Sequence, residues 1–236
     1  MLTPGNHKLG RALIWGFGLP SGTPDTCPGL SDACRGDCYA VAVARYRPAA
    51  AALYRRNWRL SRRRDFVTRV RAFLIAHAVR VVRIHTGGDF YSPRYARQWR
   101  TIIRRSPRVR FFFYTRSWRV PAIQAEIDRM AESPNCRVWY SCDRDTGVPA
   151  AVPPRVRVAW LMTAATDTPP PGTDLVFRVR RLRRSPAPVP HVCPAEDGKP
   201  RAIAVTCERC GLCWREPVRP RISLPVLDPA SPGRCP

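Results

Sequence analysis

The chain has 236 residues and 44% hydrophobic content, enough for one packed domain with an appendage, which excludes a wholly disordered protein. Arginine interrupts every apolar run and the N-terminus has no signal-peptide build, so the expectation is a cytoplasmic protein without membrane contact. Net charge is +24, from 41 Lys and Arg against 17 Asp and Glu, and only Lys8 and Lys199 are lysines; this favours nucleic acid or another polyanion as partner, with arginine-biased coding as the bland reading.

In chain order, Arg11–Leu19 reads as a short buried strand bounded by Gly and Pro. A Gly/Pro/Asp-rich loop follows with Cys27, Cys34 and Cys38 in the pattern C-x6-C-x3-C. Three thiolates on one loop can be aimed at a single point. They suit a 4Fe–4S cluster with one iron open, or zinc if an acid such as Asp32 or Asp37 completes the shell. Tyr39 to Tyr46 and Ala49 to Leu60 read as helices broken at Pro48, and Ser61 as the N-cap of another that runs to Ala78. Phe66, Val70, Phe73, Leu74 and Ala78 form its apolar stripe.

Arg80–His85 reads as a strand running into Gly87-Gly88-Asp89. Two glycines let a ligand approach the backbone, and Asp89 could accept from an ammonium group; the bland reading is a plain strand-to-helix turn. Ser92-Pro93 opens a helix with Tyr95, Trp99, Ile102 and Ile103 inward, and Pro121 opens another with Ile123, Ile127 and Met130 inward. Val109–Tyr114, Arg137–Ser141, Val156–Met162 and Leu175–Val179 read as strands. Cys136 and Cys142 read as small core residues, and His77 and His85 as packed or surface residues.

Alternating strands and helices imply an α/β fold with a mostly parallel sheet; six strands suit a partial (β/α) barrel over 1–185. The cysteine loop, the Gly-Gly-Asp turn, Arg116 and Asp143 each follow a strand, so they should share the face where ligands gather. Tyr39, Gly87, Gly88, Asp89, Arg116 and Asp143 are the candidate cofactor-binding residues. Residues 186–236 form a cysteine-rich, metal-binding tail after a basic, Pro-rich connector. There Cys193, Cys207, Cys210 and Cys213, in the pattern C-x13-C-x2-C-x2-C, make a full ligand set for zinc or an iron–sulfur cluster. Cys235 stands apart in the terminal tail.

Strand, three-cysteine loop, helix, strand and Gly-Gly-acid together resemble the radical S-adenosylmethionine enzymes. The resemblance implies cluster ligation by Cys27, Cys34 and Cys38, and contact with the methionine amino group at Gly87, Gly88 and Asp89. The family spacing is C-x3-C-x2-C and its acid is Glu, so this chain departs at both. More closely, the sequence is similar to the phage-and-plasmid gene product eighty-eight family. That similarity lies in Gly5–Gly10, Cys38-Tyr39-Ala40, His85–Phe90, Tyr140–Asp145 and Cys207–Trp214; it implies a mobile-element origin and no established activity. The expected function is an iron–sulfur protein resembling radical S-adenosylmethionine enzymes, acting on a nucleic acid or nucleotide-linked substrate. The alternative is a non-enzymatic zinc or iron–sulfur protein that binds nucleic acid. Oligomeric state and substrate are not legible.

Overall fold

The computed structural model describes residues 1–183, 191–195 and 205–215. Seven strands form one sheet: β1 (Thr3–Pro4), β2 (Ile14–Phe17), β3 (Val81–Ile84), β4 (Arg110–Thr115), β5 (Cys136–Asp143), β6 (Val156–Met162) and β7 (Leu175–Arg178). They lie side by side in chain order. β1 pairs antiparallel with β2, and every later pair is parallel. The sheet does not close, with β1 and β7 as its end strands. The two-residue β1 carries no strand pattern in the sequence; it exists because Thr3 and Pro4 pair with Gly16 and Trp15.

The helices are α1 (Asp32–Gly36), α2 (Tyr39–Tyr46), α3 (Pro48–Ser61), α4 (Phe66–Ala76), α5 (Pro93–Arg104) and α6 (Pro121–Ala131), with a short α7 (Cys207–Cys210) in the tail. Parallel neighbours need a crossover, and α5 and α6 fill two of them. Ser92 Oγ accepts from Tyr95 N at 3.2 Å with Pro93 in the first turn, as the sequence predicts. Ser61 departs from expectation. It ends α3, and its hydroxyl donates to Trp58 O at 2.8 Å and meets Tyr91 Oη at 2.9 Å. The next helix begins instead after Asp65, which makes no capping bond through its side chain. Ala78 lies beyond that helix at φ +46°, exposed.

Strand alternation sorts the core. Phe17, Val82, Ile84, Phe111, Phe113, Val138, Tyr140 and Cys142 face the helices and pack on Phe66, Val70, Trp99, Ile103, Ile127 and Met130. Cys136 and Cys142 are buried in this layer, as predicted for small core residues. The opposite face carries Ile14, Val81, Phe112, Trp139, Ala159 and Leu175. The described tail residues cover it: Cys207 and Trp214 pack with Ile14, Val81 and Phe112, and Cys193 with Trp139 and Leu175. The division near residue 185 falls outside the described residues, as does Cys235. No helix among the described residues is long and apolar enough to cross a membrane.

Candidate functional site: a cysteine-lined cavity at the strand ends

The loop carrying Cys27, Cys34 and Cys38 lies across the C-terminal ends of β3, β4 and β5, and polar contacts hold it there. Ser31 caps α1, its Oγ accepting from Cys34 N at 3.1 Å while donating to Asp143 Oδ2 at 2.5 Å. Ala33 N donates to Asp145 Oδ2 at 2.6 Å, and Arg119 Nη1 donates to Gly29 O at 3.2 Å. Gly29 permits this approach, because a Cβ there would stand 2.0 Å from Arg116 O.

Arg116 and Asp143 form the deepest contact. Arg116 Nη1 lies 2.7 Å from Asp143 Oδ2, with the two side chains 8% and 0% exposed. Asp143 also accepts from Asp145 N and Thr146 N at 3.0 and 3.1 Å. Its carboxylate is thus fully engaged beneath the loop and does not line the cavity. Burial raises the Cys34 thiol, and the Arg116 guanidinium hydrogen-bonded to it pulls the other way.

The Gly-Gly-Asp turn is held as firmly. Asp89 Oδ1 accepts from Thr115 Oγ1 at 2.6 Å and Phe90 N at 2.8 Å, and Oδ2 from Arg116 N at 2.7 Å and Ser117 N at 3.2 Å. This carboxylate staples the end of β3 to the end of β4, which is how the structure spends the acceptor capacity the sequence suggested for an ammonium group. Gly88 sits at φ +74°, where a Cβ would meet Leu19 Cβ at 2.6 Å. Asp89 N donates to Thr26 O at 2.8 Å, tying the turn to the cysteine loop. Before the turn, His85 adopts φ +64°, and its Nε2 meets Tyr95 Oη at 2.9 Å. Burial pushes its pKa down to about 3, so it stays neutral.

These pieces enclose a cavity of about 610 Å³. Cys27, Cys34, Cys38, Tyr39, Gly87, Gly88, Asp89 and Arg116 all line it, so most of the predicted site residues do meet. Burial pushes the Cys27 thiol up to about 12, with Asp89 and the neighbouring Cys34 and Cys38 contributing. Tyr39 Oη donates to Thr86 O at 2.5 Å. The sequence reading missed the opposite side of the cavity. Arg83, Tyr114, Ser141, Leu161 and Phe177 form its floor, and Lys8, Arg178, Arg180 and Arg183 its wall. Strand alternation could have found the floor residues, because each lies on the face that the helices leave uncovered.

Cys193, Cys207, Cys210 and Cys213 also meet, around a separate void of about 10 Å³ on the opposite face of the sheet from the helices. Gly211 caps α7 at φ +73°, turning the chain between Cys210 and Cys213. Tyr114 Oη donates to Cys213 Sγ at 2.7 Å, and burial pushes the Cys213 thiol up to about 12. Glu208 anchors the segment, with Oε1 accepting from the amides of Ala12, Leu13 and Ile14. Among the described residues, no three His, Cys, Asp or Glu side chains are drawn together closely enough to hold a metal ion as they stand.

Fold and site together define an α/β protein with an open, mostly parallel sheet and a cysteine-lined cavity at its strand ends. The chain belongs to the Gene product 88 family, whose model matches residues 1–216. It is similar to the Gene 88 protein of Mycobacterium phage L5, 28% identical over 228 residues, which span 89% of this chain and 85% of that protein. The Gene 88 protein of Mycobacterium phage D29 is 27% identical over 226 residues, with the same coverage. No solved structure matches. The phage-family resemblance is therefore correct, and the names of these relatives carry no activity.

Proposed function

We propose that the chain is an iron–sulfur protein of the radical S-adenosylmethionine kind on a partial (β/α) barrel, with Cys27, Cys34 and Cys38 holding a 4Fe–4S cluster. One observation carries this reading. Three thiols from a single loop line one cavity beside a Gly-Gly-Asp turn, at the C-terminal ends of sequential parallel strands. The other clustered cysteines surround a different void. The loop's donor set suits a cluster better than structural zinc, since it brings three thiols and no histidine of its own, and His85 in the same cavity meets Tyr95 Oη through Nε2 at 2.9 Å, which leaves one position open. When bound, such a cluster with S-adenosylmethionine supplies reductive cleavage to a carbon radical. The chain's own part is to position and to shield. Arg116, Asp143 and Asp145 hold the loop, and Asp89 holds the turn.

The tail quartet offers four thiols around one small void, which favours a single tetrahedral ion such as zinc over a second cluster. Anaerobically purified protein should contain about four irons and four sulfides per chain. Replacing Cys27, Cys34 and Cys38 together by Ala should remove the iron and sulfide and leave zinc in place. Stoichiometric zinc with no iron or sulfide in the parent protein overturns the proposal.

A further inference from the structure

Every charged residue between Asp37 and Asp65 is an arginine. Coding bias explains arginine in place of lysine, but it does not remove acids. Where α5 meets α6, Glu126 pairs with Arg97, Arg100 and Arg129, and after α3 Asp65 takes Arg63 and Arg69. The arginines of α2 and α3 are left differently. The exposed side chains of Arg45, Arg47, Arg55, Arg59 and Arg64 make no hydrogen bond, ion pair or ring contact among the described residues. Helical spacing puts Arg55 and Arg59 on one face of α3, with Arg62 closing the helix on the same side, a row about 10 Å long. The Arg62 guanidinium lies 5.5 Å from the Trp58 ring centroid, a contact that uses its face and not its N–H edge. Like charges four residues apart destabilise a helix, so an anion laid along this row relieves a cost already present in the fold.

The neighbouring helix adds open aromatic rings. Tyr39 and Tyr46 stand two turns apart on one side of α2 and are 56% and 78% exposed. Tyr46 is flanked by Arg45 and Arg47, and Tyr39 is steadied by the bond from its hydroxyl to Thr86 O. Rings in solvent beside guanidinium groups match a polyanion that carries flat bases. Bases in a duplex are already stacked on one another, so an open ring adds affinity only for a single strand. A lipid surface fits less well. Helices that lie in a membrane interface bury bulky apolar residues, whereas the exposed positions of α3 hold Pro48, Ala49, Ala52 and arginines.

We propose that the exposed faces of α2 and α3 bind single-stranded nucleic acid, with phosphates on Arg45, Arg47, Arg55, Arg59 and Arg64 and bases on Tyr39 and Tyr46. The surface needs neither the cluster nor the cavity, so it goes beyond the reading above. Fluorescence anisotropy tests it on the full-length protein, with labelled oligothymidylate and oligouridylate of about 20 nucleotides and a duplex of the same length. At least one single strand should bind more tightly than the duplex, with an affinity that falls as salt rises. Arg55→Gln with Arg59→Gln and Arg64→Gln should weaken that binding about tenfold or more and lower the log–log salt slope by about 2. These side chains are exposed and unpaired, so the melting temperature should not change. Tyr46→Ala should weaken single-strand binding about tenfold and leave duplex binding as it is. Arg104→Gln with Arg105→Gln and Arg108→Gln removes the same charge from exposed positions at and beyond the end of α5, and should change affinity less than about twofold. Equal weakening by the two triple substitutions means that net charge alone attracts the strand, and overturns the proposal. Tighter binding to the duplex, binding to phosphatidylglycerol vesicles in place of either strand, or no binding at all overturns it as well.

Discussion

The two cysteine sets lie on the same sheet and are held in opposite ways. Cys27, Cys34 and Cys38 sit on a loop fixed by charged and polar groups, Asp143, Asp145, Arg116 and Arg119, and they border a cavity of about 610 Å³. Cys193, Cys207, Cys210 and Cys213 sit among Trp139, Trp214, Leu9 and Leu175 around a void of about 10 Å³. Charged pins fix a loop's position without filling the space in front of it, so the thiols keep room for a ligand. Apolar packing fills the space, so the second set is suited to closure. Tyr114 touches both, lining the large cavity while donating to Cys213 Sγ.

The sharpest way to break this contrast is to remove one charged pin. Arg116→Met leaves the Asp143 carboxylate fully buried against only its hydrogen-bond donors. Stripping one partner from a buried pair costs about 3–5 kcal/mol, because the remaining charge stays desolvated. Thermal unfolding should show a fall in Tm of roughly 10 °C. Replacing both partners, Arg116→Met with Asp143→Leu, should recover part of that loss. A single variant that melts with the parent would mean the loop is held by something other than this pair.

The second test uses acid. His85 lies under the loop side of the cavity, and burial holds it neutral down to about pH 3. An unfolded histidine takes up a proton near pH 6.5. Between these values the unfolded chain binds the proton and the folded chain does not, so stability is complete above about pH 6.5 and lost as pH falls. At pH 5 the loss from this residue is about 2 kcal/mol. His85→Asn keeps a side chain that tolerates the left-handed φ of +64° and removes the titration. Its stability should therefore fall less steeply than the parent's from pH 7 to pH 5, as measured by urea unfolding. Parallel profiles would show that another group sets the acid sensitivity.

Much of the loop side was legible because its logic is local and topological. Helix stripes such as Tyr95, Trp99, Ile102 and Ile103 repeat at helical spacing, and strand–helix alternation sends every loop after a strand to one face. The roles of the two acids were not legible. Asp89 and Asp143 have the composition of ligand-binding residues, but beside neighbouring amides their partners are distant in the chain: Thr115, Arg116 and Ser117 for Asp89, and Arg116 and Ser31 for Asp143. Ser61 misled because a serine before an apolar repeat looks the same whether it opens one helix or closes another; the turn at Arg62–Asp65 decides it. The basic wall was hidden by composition. With arginine spread along the whole chain, nothing local marks Arg178, Arg180 and Arg183 as neighbours of a cavity.

The smallest effect should come from the anchor of the tail. Glu208 Oε1 accepts from three successive amides, Ala12, Leu13 and Ile14, where the chain enters β2. Glu208→Gln keeps a carbonyl acceptor but loses the charge that makes those bonds strong, at an expected cost of about 1–2 kcal/mol. The damage should stay on the tail side, because α7 and the cysteine loop share none of these bonds. Alkylation followed by peptide mass analysis should show faster labelling of Cys207, Cys210 and Cys213 and unchanged labelling of Cys27, Cys34 and Cys38. Equal acceleration in both sets would mean that Tyr114 couples them into one unit. The division between an open set held by charge and a closed set held by packing would then be wrong.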